Sequence, residues 1–202
     1  MIKFNNNYLF NNMVLLEKIK SALSTRLDVL PNTDGQNKIA SVLIVIYGGQ
    51  PNILMTKKSH ILKIHAGEIS FPGGKHDPTD ENLLETALRE AREEVNLSIR
   101  REHVVGQLEP VTTLNSKFTI YPFIAVVKRL PRLKDNMEVE TILNIPLLPL
   151  LKTLSNDTDP AHQSIQEMYT FTFEEHLIWG ASARMLKQIH DVFSKNNILE
   201  IK

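Results

Sequence analysis

At 202 residues and 23.0 kDa, with 42% hydrophobic residues, the chain is long enough for one well-packed domain with short appendages. Lys plus Arg and Asp plus Glu each number 23, so the net charge is zero, which excludes a broad nucleic-acid footprint but leaves room for a local basic pocket. The lack of cysteine excludes disulfides and thiolate metal sites. No apolar run approaches the ~20 residues a membrane helix needs.

Residues 1–12 are rich in Asn and read as loose, with Met13 a candidate start. They carry no secretion signal, so the expected location is cytoplasmic. Val14, Leu15, Ile19, Leu23 and Leu27 recur at helical spacing and predict an amphipathic helix over Val14–Leu27. The Pro, Asn, Asp and Gly of residues 28–37 read as a loop. Ile39–Tyr47 is almost wholly apolar and rich in β-branched residues, as expected of a buried central strand. Gly48–Asn52 turns the chain into a returning strand at Ile53–Thr56, forming a hairpin.

A basic loop follows, with Lys57, Lys58, Lys63, His60 and His65. On composition alone it would keep a strand edge soluble. Beyond it, residues 82–96 predict a helix, with Asp77, Thr79 or Asp80 as N-cap. His103–Val111 and Phe118–Val127 read as strands, and Pro122 places the second at an edge or a bulge. Lys128–Glu138 reads as a charged surface turn, and the two prolines of Ile142–Leu151 limit any helix there. Asn156–Glu167 is polar. Met168–Phe173 alternates as a half-buried strand and leads into a helix ending near Phe193. The boundaries are thus an N-terminal tail and helix over 1–37, a domain over 38–195 and a tail over 196–202.

The most informative stretch is Ser70–Leu97. A Pro72-Gly73-Gly74 corner lets backbone approach a ligand closely. On the helix that follows, ~100° per residue puts Glu90, Glu93 and Glu94 on one stripe. Leu84, Leu88, Ala91 and Val95 fall opposite. Taken alone, such a run is most often a solvated face, with Arg89 and Arg92 as partners. Like charges at this spacing cost roughly 0.2–0.5 kcal/mol per pair, and a hard divalent cation held by carboxylates and phosphate oxygens would compensate.

The order Arg89-Glu90-x-x-Glu93-Glu94 beside a double glycine resembles the Nudix box, G-x5-E-x7-R-E-U-x-E-E-x-G-U, where U is bulky aliphatic. Ala91 stands at the first U and Leu97 at the last. The stretch from Gly74 to Glu81 is one residue longer than the pattern, and Asn96 replaces its last glycine. Asn is a common substitute in a left-handed helix cap.

The longer loop is similar to that of the coenzyme A pyrophosphatase branch. An upstream signature of that branch, L-L-T-x-R-[SA]-x3-R-x3-G-x3-F-P-G-G, is matched in register by Leu54, Met55, Thr56, Lys58, Ser59, Lys63, Gly67, Phe71, Pro72, Gly73 and Gly74. Lysines replace both arginines, which keeps charge but loses the planar fork. The Ile178-Trp179-Gly180 run also resembles the closing helix of that branch, although Trp179 alone reads as core packing.

The resemblance implies a mixed β-sheet between helices, the α/β/α Nudix fold. It implies hydrolysis of the pyrophosphate of coenzyme A or its acyl or oxidised forms, with ADP-ribose or a dinucleotide as the alternative substrate. It assigns Glu90, Glu93 and Glu94 to Mg²⁺ or Mn²⁺, with the Gly73 carbonyl as a further ligand. Arg89 joins the catalytic set by orienting a carboxylate. Lys57, Lys58, Ser59, Lys63, Gly67, Phe71 and Gly74 form the implied substrate-binding set. Glu138 and Glu174 join the box glutamates as general-base candidates. The partners implied are a small nucleotide substrate, with no nucleic acid and no membrane, and a homodimer is compatible with the family.

Overall fold

The structure is a computed structural model that describes residues 6–30, 38–61, 66–113, 117–158 and 168–201, with side chains from Met13 onward. Strand β1 (Lys38–Tyr47) is the axis of the fold. It runs parallel to β7 (Phe118–Val127), from Lys38 opposite Phe118 to Tyr47 opposite Val127. On its other side it pairs antiparallel with β2 (Asn52–Lys58) through Ile46 and Ile53, and with β4 (Gly73–Lys75) through Val42 and Gly73. The short β3 (Ile69–Ser70) and β8 (Val139–Pro146) flank β2, while β5 (Val104–Gln107) and β6 (Val111–Thr112) flank β7. The result is the mixed sheet expected.

Both faces of the sheet are covered, which is why β1 is apolar at consecutive positions. On one face Val42, Ile44 and Ile46 pack with Leu16, Ile19 and Leu23, which follow or lie in α1 (Asn6–Ala22), and with Met185, Leu186, Ile189 and Phe193 of α4 (Gly180–Lys195). On the other face Leu43 and Val45 pack with Leu84, Ala87, Ala91 and Val95 of α2 (Leu83–Val95). Ala87 and Ala91 are fully buried, so α2 lies close to the sheet, and a bulkier residue at Ala91 would overpack by ~1–3 kcal/mol. Ile198, beyond α4, is fully buried in the first cluster. The N-terminal helix and the C-terminal segment thus share the core of the sheet.

Several elements differ from the sequence-based expectation. Helix α1 begins at Asn6, inside the stretch read as loose, and ends at Ala22. The following segment runs alongside β5 instead, with Thr25 N–H donating to Val105 O at 3.3 Å. The expected strand over His103–Val111 is two short strands, β5 and β6. Strand β7 is interior, not an edge. Pro122 faces the break between β5 and β6, where its carbonyl accepts from Leu108 N–H at 3.0 Å and no ladder partner needs the missing donor. The apolar run Ile142–Leu151 divides into the end of β8 and a short α3 (Leu147–Leu151). A smaller sheet of β9 (Ser155–Asn156), β10 (Tyr169–Phe173) and β11 (His176–Ile178) completes the fold.

Helix α2 is capped by Asn82, not by Asp77, Thr79 or Asp80. Asn82 Oδ1 accepts from Leu84 and Glu85 N–H at 3.0 and 3.1 Å. Asp77 is engaged in a tight turn with Thr79, and Asp80 is drawn to Arg89, as described below. At the other end Asn96 takes the left-handed conformation, with φ 55°, as its type allows. Its N–H reaches Arg92 O at 3.0 Å, and Leu97 N–H reaches Ala91 O at 3.1 Å.

Candidate active site

The glycine corner is a close approach of backbone, not a matter of unusual dihedrals. A Cβ on Gly73 would collide with the Ser41 carbonyl and lie 2.6 Å from Val42 Cα. A Cβ on Gly74 would lie 2.6 Å from Glu90 Oε1. Gly73 therefore fits against β1 only without a side chain, and the Glu90 carboxylate lies directly over the Gly74 backbone.

The three box glutamates occupy different environments. Glu94 is only 2% exposed. Its Oε1 accepts from Lys58 Nζ, and its buried Oε2 has no hydrogen-bond partner among the described residues. Glu90 is half-buried beside Gly74 and accepts from Arg89 at 2.7 Å. Glu93 points outward, with its side chain 53% exposed, and meets the same guanidinium at 3.0 Å. Burial pushes the Glu94 carboxyl above its ordinary value, opposed by the Lys58 charge and the Gly73 N–H. Burial also raises Glu90, opposed by Arg89.

Arg89 is the hub of the helix surface. Its Nε and Nη2 grip the Asp80 carboxylate at 2.9 and 3.0 Å, while Nη1 serves Glu90 and Glu93. Nη2 also reaches the Lys75 carbonyl at 3.3 Å, tying α2 to β4. Thr86 Oγ1 donates to Asp80 at 2.9 Å, with His76 Nδ1 2.8 Å from the same hydroxyl. The paired guanidinium holds the Asp80 carboxyl down to about 2.

Asp80 is the residue the sequence reading missed, since it appears there only as a cap candidate. Glu81, counted as the first acid of the box, is exposed and pairs with Arg101 at 2.7 Å. A signal was present. Five residues separate Gly74 from Asp80, which is the general spacing on the glycine side of the box. Asn136 was also missed. Its N–H donates to Glu94 O and its Nδ2 to Glu93 O, both at 3.1 Å, so the loop after β7 closes the acidic end of α2.

The substrate-binding set inferred from the signature is only partly assembled. Lys58 reaches the box directly. Lys57 points elsewhere and pairs with Glu140 at 2.6 Å. Ser59 N–H donates to Glu138 O at 2.8 Å, which sets Glu138 beside this loop. Gly67 has φ 74° and closes the loop through its N–H to Lys58 O at 3.0 Å. Phe71, expected to touch substrate, is 2% exposed and belongs to the hydrophobic core. Lys63 and His65 lie outside the described residues. Glu174 lies at the turn between β10 and β11.

Among the described residues, no three acidic or imidazole groups converge as a ready cation cage. Glu93 is turned outward to Arg89, and Lys58 occupies one oxygen of Glu94. Glu90 and Glu94 stand one turn apart on the same face, and Glu94 Oε2 is a buried acceptor without a donor among the described residues. That donor set fits Mg²⁺, which typically takes one or two carboxylates and completes its shell with water and substrate phosphate oxygens. Oxygen ligands of this kind suit Mn²⁺ equally.

Comparison with known proteins identifies the family of the domain. Residues 37–161 match the family model described as NUDIX domain. The chain is 34% identical over 160 residues to a Photorhabdus laumondii protein named Uncharacterized Nudix hydrolase NudL, covering 78% of this chain and 85% of that one. A protein of the same name from Yersinia pestis (strain Pestoides F) is 34% identical over 157 residues, covering 76% and 78%. Among solved structures, a MutT/nudix family protein from Enterococcus faecalis is similar, with a TM-score of 0.54 at 12% identity over 83% of this chain. The chain spans 64% of that protein's length. The Nudix hydrolase RenU from M. smegmatis gives 0.51 at 14% identity, covering 83% of this chain and 94% of that one. These two structures share the fold.

Proposed function

This chain belongs to the Nudix hydrolase family, and from that premise we propose that it cleaves the pyrophosphate of coenzyme A or its acyl or oxidised derivatives. The products are 3′,5′-ADP and 4′-phosphopantetheine or its derivative. The observation that carries the hydrolytic reading is the buried Glu94 oxygen that has no hydrogen-bond partner among the described residues, one turn from Glu90, whose carboxylate lies over the bare backbone of Gly74. The register match from Leu54 to Gly74 supports the choice of coenzyme A.

In this reading Glu90 and Glu94 hold Mg²⁺ or Mn²⁺, with Glu93 and the Gly73 carbonyl as additional donors. The bound ion supplies charge neutralisation at the phosphoryl oxygens and a water made acidic enough to attack near neutral pH. Asp80 and Arg89 hold the Glu90 and Glu93 carboxylates in place, so that little reorganisation of these two is left for the reaction itself. Gly74 leaves room for the Glu90 carboxylate against the main chain. Lys58 and Lys63 give the cationic side of the site, and Glu138, whose carbonyl accepts from Ser59 N–H, and Glu174 are the base candidates outside the box. The same reading takes the protein as cytoplasmic and compatible with a homodimer, with no nucleic-acid or membrane partner. Among the described residues no helix is long and apolar enough to cross a membrane.

A second reading, with ADP-ribose or a dinucleotide as substrate, draws on Lys58. A lysine engaged with Glu94 is a weaker selector of multiply phosphorylated ligands than two free arginines. A panel of coenzyme A, acetyl-coenzyme A, ADP-ribose and a diadenosine polyphosphate, assayed with Mg²⁺ and with Mn²⁺, separates them. Preference for coenzyme A by kcat/KM supports the first reading. Preference for ADP-ribose or the dinucleotide overturns it in favour of the second.

A further inference from the structure

Lys58 sits at a break in the register between β2 and β8, the irregularity falling between Lys57 and Lys58. Such breaks re-aim side chains beside functional sites. Here one lysine turns to Glu140 and the next to Glu94. Both backbone groups of Lys58 are bonded, its N–H to Glu68 O at 2.9 Å and its carbonyl to Gly67 N–H at 3.0 Å. The anchor is therefore fixed while the four-carbon stem can swing. Its side chain is 14% exposed and that of Glu94 is 3%. The ammonium is thus a single positive charge seated on one oxygen of a buried carboxylate whose other oxygen has no partner among the described residues.

Resting on the reading of Glu90 and Glu94 as the cation-binding pair, we propose that Lys58 is a resident counter-ion that a divalent cation must displace. A monovalent ammonium and a doubly charged ion on one carboxylate repel strongly in a partly buried site. The metal-free protein thereby avoids a buried unpaired charge, and metal binding is set against the loss of that ion pair. Lysine suits this role better than arginine, whose planar fork would clasp the carboxylate through two bonds and resist release.

The test is calorimetric titration of the metal-free full chain with Mn²⁺, without substrate, for wild type, Lys58→Met, Lys58→Arg and Glu94→Gln. Lys58→Met is expected to bind Mn²⁺ about tenfold more tightly and Lys58→Arg about tenfold more weakly. The thermal midpoint of metal-free Lys58→Met is expected to fall and to recover with Mn²⁺. Should that variant fail to fold, Lys58→Gln keeps a neutral hydrogen-bond donor on a shorter stem, and the same direction is expected. Equal or weaker binding by Lys58→Met, with Glu94→Gln alone losing the ion, overturns the counter-ion role and leaves the site reading standing. Binding by Glu94→Gln as tight as wild type, or no binding by any form, overturns both.

Discussion

Arg89 and Asp80, nine residues apart, meet through two N–H···O bonds of 2.9 and 3.0 Å. The bond joins the loop after the glycine corner to the middle of α2. The same guanidinium holds Glu90 and Glu93, so the position of two carboxylates depends on a third outside the helix.

The first prediction concerns acid stability. The folded-state carboxyl of Asp80 is depressed from 3.8 to about 2. Its stabilisation is therefore fully present above the unfolded value and is lost as pH falls from about 4 to about 2. Asp80→Asn should cost on the order of 2 kcal/mol at pH 7 and much less at pH 2. Urea unfolding of both proteins across that range checks it, and a pH-independent difference would contradict it.

Gly74→Ala tests the close approach of Glu90. The added Cβ would lie 2.6 Å from Glu90 Oε1 and 2.5 Å from its Cδ. The carboxylate must move, because β4 is held by its pairing to β1. The expected result is a fall in kcat of about a hundredfold with a stability loss of ~1–3 kcal/mol. Steady-state kinetics and thermal melts measure the two effects separately.

The Asn82 cap should behave as a purely structural element. Asn82→Ala removes the acceptor for two N–H groups at the start of α2 and should cost ~1 kcal/mol. At a temperature where both proteins are fully folded, kcat should remain within about twofold of wild type. Chemical denaturation and an activity assay at that temperature check this.

The sequence made the central strand and the box helix legible because their signals are local. Nine adjacent positions of β1 are apolar or small, and α2 repeats its apolar stripe without interruption. The assignment of Asp80 was hidden because two adjacent acids, Asp80 and Glu81, offered themselves, and only packing decides which faces Arg89. Phe71 misled for a related reason. It stands in a signature read as binding, but a large apolar side chain between β3 and β4 is worth more in the core. Pro122 read as the signal of an edge or a bulge because a sequence does not show that the neighbouring strand is broken opposite it. The pairing of Lys58 with Glu94 joins residues 36 positions apart and leaves no periodic trace.

The central claim is that Glu94 grips a cation which in turn grips the diphosphate, and Glu94→Gln tests it most directly. The amide keeps shape and can still accept from Lys58. Because burial raises the Glu94 carboxyl above its ordinary value, its charge weakens the metal-free fold as pH rises through that range. The neutral variant should therefore melt no lower than wild type at pH 7. The decisive measurement is Mg²⁺-dependent hydrolysis of coenzyme A by this variant beside its melting curve. The account predicts a fall in kcat of at least about a thousandfold with an intact fold, and unchanged turnover would contradict it.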